Sequence, residues 1–422
     1  MSNKLQPVRG THDILPDEHE MFSHVLHTAK RIGNLYGFRT ISTPIFEFTD
    51  VFKRTLGETS DVVNKEMYTF NDRGNESITL RPEFTAGIAR AFISNGMQQD
   101  LPLKLFSAGP LFRYERPQKG RQRQFHQVNF EYLGNAEPIA DVEMIALANH
   151  ILSELGIEKG LSLEINTLGD KESRDAYRNT LVKFFEKYKN NLSEDSKKRL
   201  ELNPLRILDS KDEGDRKIIA DAPKMHDSLS EEAKKFFEQV TKGLDALNIK
   251  YNINQKIVRG LDYYNHTVFE FVVNSEAMGS QNTILAGGRY DGLISQMGGQ
   301  ETPAFGFAAG FERLMMIAKP PAKNRHKVGI IAMGKELEIE AIRFAQDLRT
   351  QGHPVEVVAG SNPKKKFARA DKGKYTLALI IGEDEIAKGV VTAKDLLGGN
   401  QQQFTREQIS NMLHDIRKSL KV

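Results

Sequence analysis

The 422-residue sequence predicts an α+β protein: a mainly antiparallel β-sheet core with flanking helices and a helical insertion, followed by a small C-terminal α/β domain. Three observations carry this. Strand-like runs at 103–112 and 127–133 flank a short basic loop, as an antiparallel hairpin requires. Between about 171 and 247 the text turns Lys/Glu/Asp-rich and helical. After the linker Lys319-Pro320-Pro321-Ala322-Lys323-Asn324-Arg325 the rhythm becomes short apolar strands separated by helices. The expected domains are therefore 1–325, containing the insertion, and 326–422.

In chain order, Met21, Phe22, Val25, Leu26, Ala29, Ile32 and Tyr36 recur at spacings of three and four, which predicts an amphipathic helix over 17–36 stopped by Gly37. A strand over 38–46 follows. It contains Pro44, which cannot donate to a ladder, so an edge or interface position is expected. Further strands are expected at 162–166, 251–258 and 267–273. The glycine-rich Ala286–Leu293 segment comes next, then a helix in the peptide beginning at Gly310. In the C-terminal quarter, strands at 328–333, 355–358 and 376–381 alternate with helices near 335–351 and 363–373, and a last helix spans about 406–420.

Composition excludes several classes. Hydrophobic residues are 39% and charged residues 27%, with no apolar run near the roughly 18 to 20 residues needed to cross a bilayer, so no membrane partner is expected. The first twenty residues lack the apolar core of a secretory signal, and a cytoplasmic location is expected. With no cysteine, disulfides, thiolate catalysis and cysteine-ligated metals are excluded. Net charge is only +3, but residues 326–422 hold 16 basic against 12 acidic side chains. One dense cluster lies elsewhere: Arg113, Arg116, Lys119, Arg121 and Arg123 fall within eleven residues, with Glu115 as the single acid.

His19-Glu20 with His24 imitates a zinc box, but the second histidine is five positions on rather than four, and no metal site is expected there. There is no Walker loop, so any ATP must be held differently. The Phe112-Arg113-Tyr114-Glu115 segment, its basic turn and the returning Phe125 offer one way: an arginine leaving a strand opposite an aromatic can clamp a phosphate and stack a base. An exposed hairpin with surface arginines fits the same spacing.

Phe112-Arg113-x-Glu115 followed by Phe125 resembles motif 2 of the class II aminoacyl-tRNA synthetases. Gly306–Arg313 (GFAAGFER) resembles motif 3, and the helix before Gly37 with the proline-bearing strand after it resembles motif 1, the dimer-forming element. The peptides Val258–Tyr264 (VRGLDYY) and Ala286–Leu293 (AGGRYDGL) resemble the two signature peptides of the histidyl-tRNA synthetase family. With Leu80–Glu83 and Arg121–Gln127, the likeness spans essentially the whole chain. One departure is Phe84, where many relatives carry glycine; it puts the backbone fit at that position in question.

The resemblance implies a ligase that joins L-histidine to ATP, giving histidyl-adenylate and pyrophosphate, and then passes histidine to the 3′ end of tRNA(His). It assigns Arg113 to the α-phosphate, Arg259 to the carboxylate and α-phosphate from the other side, and Arg313 to the γ-phosphate, with Glu115 in the same ATP site and Phe125 stacking adenine. Arg113 and Arg259 would be catalytic. Glu131 and Tyr264, with Tyr263 beside them, would face the imidazole; Glu83, Thr85 and Gln127 would grip the amino end. The turn residues Arg116, Lys119, Arg121 and Arg123 would meet the tRNA acceptor end. The C-terminal domain would read the anticodon, with Lys364, Lys365, Lys366 and Arg369 at the start of a helix. A homodimer is implied, and Mg2+ is expected from ATP chemistry rather than from a ligand motif. A regulatory paralogue would lack the C-terminal domain; the prolyl, threonyl and glycyl synthetases would lack the two signature peptides. A generic nucleic-acid binder would leave Glu83, Glu131 and the Arg259 peptide unexplained.

Overall fold

The computed structural model describes residues 5–56, 62–257, 263–274, 282–321 and 326–419. Two compact units divide the chain, Met1–Pro321 and Ala322–Val422.

The first helix spans Pro16–Leu35, with proline at its start and Val25, Ala29 and Ile32 buried on one face. Gly37 ends it at φ +81°, a conformation L side chains avoid. The strand expected over 38–46 is two short pieces in two different sheets, Arg39–Thr40 and Phe46–Phe48. Proline is the reason. Around Pro44 the backbone leaves the ladder, and the buried guanidinium of Arg81 donates to the carbonyls of Thr43 (2.9 Å) and Pro44 (3.3 Å) in place of a partner strand.

Among the described residues the main sheet has eight strands: β1 Arg39–Thr40, β2 Leu103–Phe112, β3 Gln124–Leu133, β4 Leu161–Thr167, β5 Asn252–Ile253, β6 Asn265–Val273, β7 Thr283–Arg289 and β8 Ala304–Gly310. Their order is β1-β2-β3-β8-β7-β6-β4-β5. All pairings from β2 to β4 are antiparallel, and only the outermost, β1 with β2 and β4 with β5, are parallel. The first half of the glycine-rich segment, Ala286–Arg289, is the end of strand β7, and the strand expected over 251–258 is reduced to β5, with Val258 outside the described residues. A separate three-stranded sheet joins Phe46–Phe48, Tyr68–Asn71 and Ser77–Leu80.

Alternation along β3 and β8 separates core from site. Val128 and Phe130 face a hydrophobic cluster with Val25, Ile145, Phe269 and Phe307, under helices Pro16–Leu35 and Pro138–Glu154. Gln127, Asn129 and Glu131 therefore face the other way. Beside them in register on β8 lie Gly310, Ala308 and Gly306, small residues that leave room above the sheet.

The insertion comprises helices Lys171–Glu186, Glu194–Leu202, Glu213–Ile219 and Glu231–Ala246. It has a core of its own, including Tyr177, Leu181, Phe185, Leu200 and Met225. Its last helix serves two masters: Ala233 joins that core, whereas Phe237, Val240 and Leu244 join the core of the main sheet.

In the second unit five strands, Val328–Ala332, Val355–Val357, Leu377–Ile381, Val391–Asp395 and Gln401–Phe404, form one mixed sheet, with the first in the second spatial position. Helices Glu338–Thr350, Pro363–Lys372 and Arg406–Ser419 match the periodic segments of the sequence. The last strand is polar, with too little alternation to predict.

Candidate active site

Above the small residues of β8 opens a cavity of about 450 Å³. Behind four of its lining residues, Thr85, Asn129, Tyr290 and Gly306, Glu131 is fully buried. One carboxylate oxygen accepts from the Thr85 hydroxyl (2.5 Å) and the Asn129 amide (3.1 Å), and the other accepts from the phenol of Tyr290. Burial pushes the Glu131 carboxyl up to about 7 against the pull of these three donors. Glu83 is buried as well. Its oxygens accept from the backbone N–H groups of Thr85 (2.6 Å) and Ala86 (2.7 Å), holding the start of helix Thr85–Ser94, and burial raises its pKa despite them. Phe84 between them has φ −94° and ψ −35°, ordinary right-handed geometry, and its ring packs under the Arg81 guanidinium at 4.5 Å. The departure from glycine is therefore accommodated without strain.

Tyr263 and Tyr264 complete the wall with ring centroids 4.6 Å apart, and Tyr263 meets Tyr290 edge-on at 5.5 Å. Burial holds the Tyr263 and Tyr290 phenols well above their ordinary pKa, so both stay protonated donors. Gln127 lines the same cavity.

On the opposite side stands the basic wall. Arg113 leaves β2, donates to the Pro82 carbonyl (2.9 Å) and lies 5.3 Å from the centre of the Phe125 ring, on the returning strand. Arg313, in helix Phe311–Ile317, donates to the carbonyls of Thr283 (2.6 Å) and Gly120 (3.4 Å). Burial, with Arg121 nearby, pulls its pKa down. Glu115 pairs with Arg121 at 3.1 Å. Arg259 lies outside the described residues.

In the turn, Arg116, Lys119 and Arg121 are exposed. Arg123 is not equivalent to them: it stacks on Tyr114 at 3.9 Å and donates to the Glu115 carbonyl (3.3 Å), so it holds the turn together. In the second unit, Lys364, Lys365 and Arg369 are exposed on helix Pro363–Lys372. Lys366 corrects the expectation of a four-residue cationic surface. It is 3% exposed, and its ammonium donates to the Ala332 carbonyl (3.0 Å) and pairs with Glu338 (3.1 Å), because the 3.6-residue period turns it inward while its neighbours face water.

Three residues were missed in the sequence. Tyr290 stands inside AGGRYDGL, and Asn129 lies two positions before Glu131 on the same strand face, which period-two reasoning finds. Arg289 is completely buried; it pairs with Asp141 and with Asp291 (3.0 Å) and so anchors the segment that carries Tyr290. The glycines before it, Gly287 and Gly288, serve neither a turn nor open space. A Cβ on either would collide with neighbouring strands, at the Gly306 and Thr267 carbonyls.

A cavity lined by the buried carboxylate of Glu83, by Tyr263, Tyr264 and Tyr290, and by Arg113 and Arg313 suits a small polar substrate beside a polyphosphate. The histidyl-tRNA synthetase family profile matches residues 10–314, and the profile of an anticodon binding domain matches residues 327–416. The chain belongs to the histidyl-tRNA synthetase family. Members of it are ligases that form aminoacyl-tRNA, and the chain is an enzyme of this kind, in a family that uses ATP as a substrate. It is 53% identical over 399 residues to a histidine–tRNA ligase of Rhodospirillum rubrum, covering 94% of this chain and 96% of that one. It is 50% identical to one from Wolbachia pipientis subsp. Culex pipiens, covering 96% and 98%. The apo histidyl-tRNA synthetase of S. aureus superposes with a TM-score of 0.84 at 32% identity, covering 97% and 99%. Among the described residues no helix is long and apolar enough to cross a membrane.

Proposed function

We propose that this enzyme activates L-histidine with ATP and transfers it to tRNA(His). In the first step a histidine carboxylate oxygen bonds to the α-phosphorus of ATP, and the bond from that phosphorus to the bridging oxygen breaks, releasing pyrophosphate. In the second, the terminal ribose hydroxyl of tRNA attacks the histidyl carbonyl and AMP leaves. Both steps concentrate negative charge on phosphate oxygens, so the main demand on the protein is fixed positive charge where that charge develops.

The observation that carries the reading is Glu131, a buried carboxylate poised near neutrality with Tyr290 and Thr85 as donors, directly behind the wall of a cavity that Arg113 and Arg313 also line. Imidazole has two nitrogens to satisfy, and a site that hydrogen-bonds both rejects analogues that leave a buried partner unpaired. We assign the ring to Glu131, Tyr263 and Tyr264, and the amino end to Glu83, Thr85 and Gln127. Arg113 and Arg259 take the α-phosphate and Arg313 the γ-phosphate, with Glu115 and Phe125 at the adenine end. Mg2+ would enter with the phosphates, for the wall near Arg313 carries Glu115 and Glu270, and one or two carboxylates with phosphate oxygens are its usual company.

Residues 1–325 would carry this chemistry and 326–422 would read the anticodon, with Arg116, Lys119 and Arg121 at the acceptor end and Lys364, Lys365 and Arg369 on the second unit. A two-fold homodimer is supported by the small three-stranded sheet, where Phe48, Ile78 and Phe70 stand in register and both phenylalanines are about half exposed. The substrates argue for a cytoplasmic location. Pyrophosphate exchange run separately with each of the twenty amino acids tests the reading: histidine alone should support it, and exchange with another amino acid, or with none, would overturn it.

A further inference from the structure

The helical insertion contacts the backbone that carries one wall of the cavity. Its first helix opens with Asp170 capping the Ser173 N–H (2.8 Å), and the other oxygen of Asp170 accepts from Ser230, the cap of the last helix, at 2.5 Å. Ser230 closes the loop by donating its own N–H to Ser173 (2.8 Å). The two ends of a long excursion are thus stapled at one point beside the main sheet.

From that staple two side chains reach the peptide that carries Tyr264. Arg174, one residue beyond Ser173, donates from Nη1 to the backbone carbonyl of Tyr264 at 3.1 Å. Its Nε is buried without a hydrogen-bond partner, so the guanidinium is held by that carbonyl and by the nearby charges of Asp175, Asp291 and Asp170. From the last helix, Phe236 stacks on His266 with ring centroids 4.4 Å apart and touches the guanidinium of Arg289 on its way, at 5.2 Å. His266 has φ +44°, outside the usual region for an L residue, and two backbone hydrogen bonds hold it there: its N–H donates to Gly169 (2.8 Å) and its carbonyl accepts from Leu168 (2.7 Å). Residues 264–266 are therefore gripped at the carbonyl, the backbone and the ring by groups at or beside the root of the insertion. The Tyr264 ring, on the same residue as the gripped carbonyl, lines the cavity.

We infer that Arg174 is a positioning residue for histidine recognition, fixing the Tyr264 backbone so that its ring meets the imidazole, and that the insertion thereby sets the geometry of the amino-acid pocket. The inference rests on the assignment of Tyr264 to the ring. A buried donor aimed at one carbonyl orients a side chain that must be held to a fraction of an ångström, and its loss weakens the substrate that side chain reads while sparing the other.

The test is histidine-dependent pyrophosphate exchange by the full-length Arg174→Gln enzyme. The Michaelis constant for histidine should rise about 5- to 20-fold with that for ATP within twofold, and Arg174→Lys, which keeps a cationic donor, should recover most of the loss. A general loosening would move both constants together, and that result, or a histidine constant within twofold of wild type, overturns the inference. Should the glutamine variant not fold, Arg174→Met, which keeps the stem and buries no new polar group, gives the same readout. Absence of histidine-dependent exchange in the wild-type enzyme would instead sink the proposed function, so the two failures are separable.

Discussion

The phenol of Tyr290 donates a hydrogen bond to the buried carboxylate of Glu131, joining β7 to β3 across the intervening β8. The bond lies behind the cavity wall that Tyr290 lines. It stabilises the ionised form of a carboxyl that burial would otherwise keep neutral, and thereby sets the pH range over which Glu131 is charged.

Replacing Tyr290 by phenylalanine removes a donor that lowers the Glu131 pKa, so that pKa should climb further. The rise in the histidine Michaelis constant on acidification should begin at higher pH than in wild type, and at pH 8 the constant should increase about 3- to 10-fold. Exchange kinetics between pH 6 and 9 check this; an unmoved acid limb would contradict it.

Glu131→Gln should separate recognition from stability. A carboxyl whose folded pKa is raised to about 7 favours folding while protonated, and that contribution is lost as pH rises from the ordinary carboxylate range through about 7. At pH 8 the glutamine variant, with no charge to bury, should melt higher by about 2 °C or more while binding histidine poorly and ATP normally. Circular dichroism melts and separate Michaelis constants measure both halves.

Arg259→Ala should lower histidine-dependent pyrophosphate exchange by roughly 10² to 10³-fold through loss of a fixed charge facing the α-phosphate. Adenylate formation within threefold of wild type would remove Arg259 from the mechanism.

Asp215 organises the insertion. Its buried carboxylate accepts from the Ser193 N–H (2.9 Å) and from the hydroxyls of Ser193 (2.7 Å), Ser196 and Ser210 (2.6 Å each). Burial opposes its charge, but these donors outweigh it and pull the carboxyl down to about 2. The stabilisation is then full above the ordinary Asp range and is lost as pH falls towards 2. Tryptic cleavage within 190–230 should be faster in Asp215→Asn than in wild type at pH 7. Melting temperature should fall less between pH 5 and 3 in that variant than in wild type, since the group that titrates is gone.

A chain ending at Arg325 should still form histidyl-adenylate but charge tRNA poorly, with affinity for tRNA at least tenfold weaker and less dependent on salt. Exchange and charging measured on one preparation decide it. Charging equal to that of the full chain would mean that 326–422 does not read the anticodon.

Much of this architecture was legible because periodicity reports burial. The helix Pro16–Leu35, the hairpin of β2 and β3 and the three long helices of the second unit all carry apolar residues at regular spacing. What escaped depends on partners distant in sequence. Nothing near Pro44 announces that Arg81 will take up its carbonyl, and although the helical period puts Lys366 on the face of Ala370, nothing near it announces the Ala332 carbonyl and Glu338 that receive its ammonium. In the site, most of the side chains that line the cavity were readable from the motifs, whereas the Tyr290 and Arg174 contacts were not. They join segments 159 and 90 residues apart.

Gly306 lies beside Glu131 in register, and a Cβ at that position would occupy the space of the Glu131 carboxylate. The smallest possible enlargement of the side chain therefore strikes the Glu131 carboxylate first and the Phe130 carbonyl after it. Alanine at 306 should therefore drive the carboxylate off its hydrogen bonds to Thr85 and Tyr290. The absence of a side chain at 306 is thus what lets a carboxylate sit within the body of the sheet, closed in by Thr85, Asn129 and Tyr290.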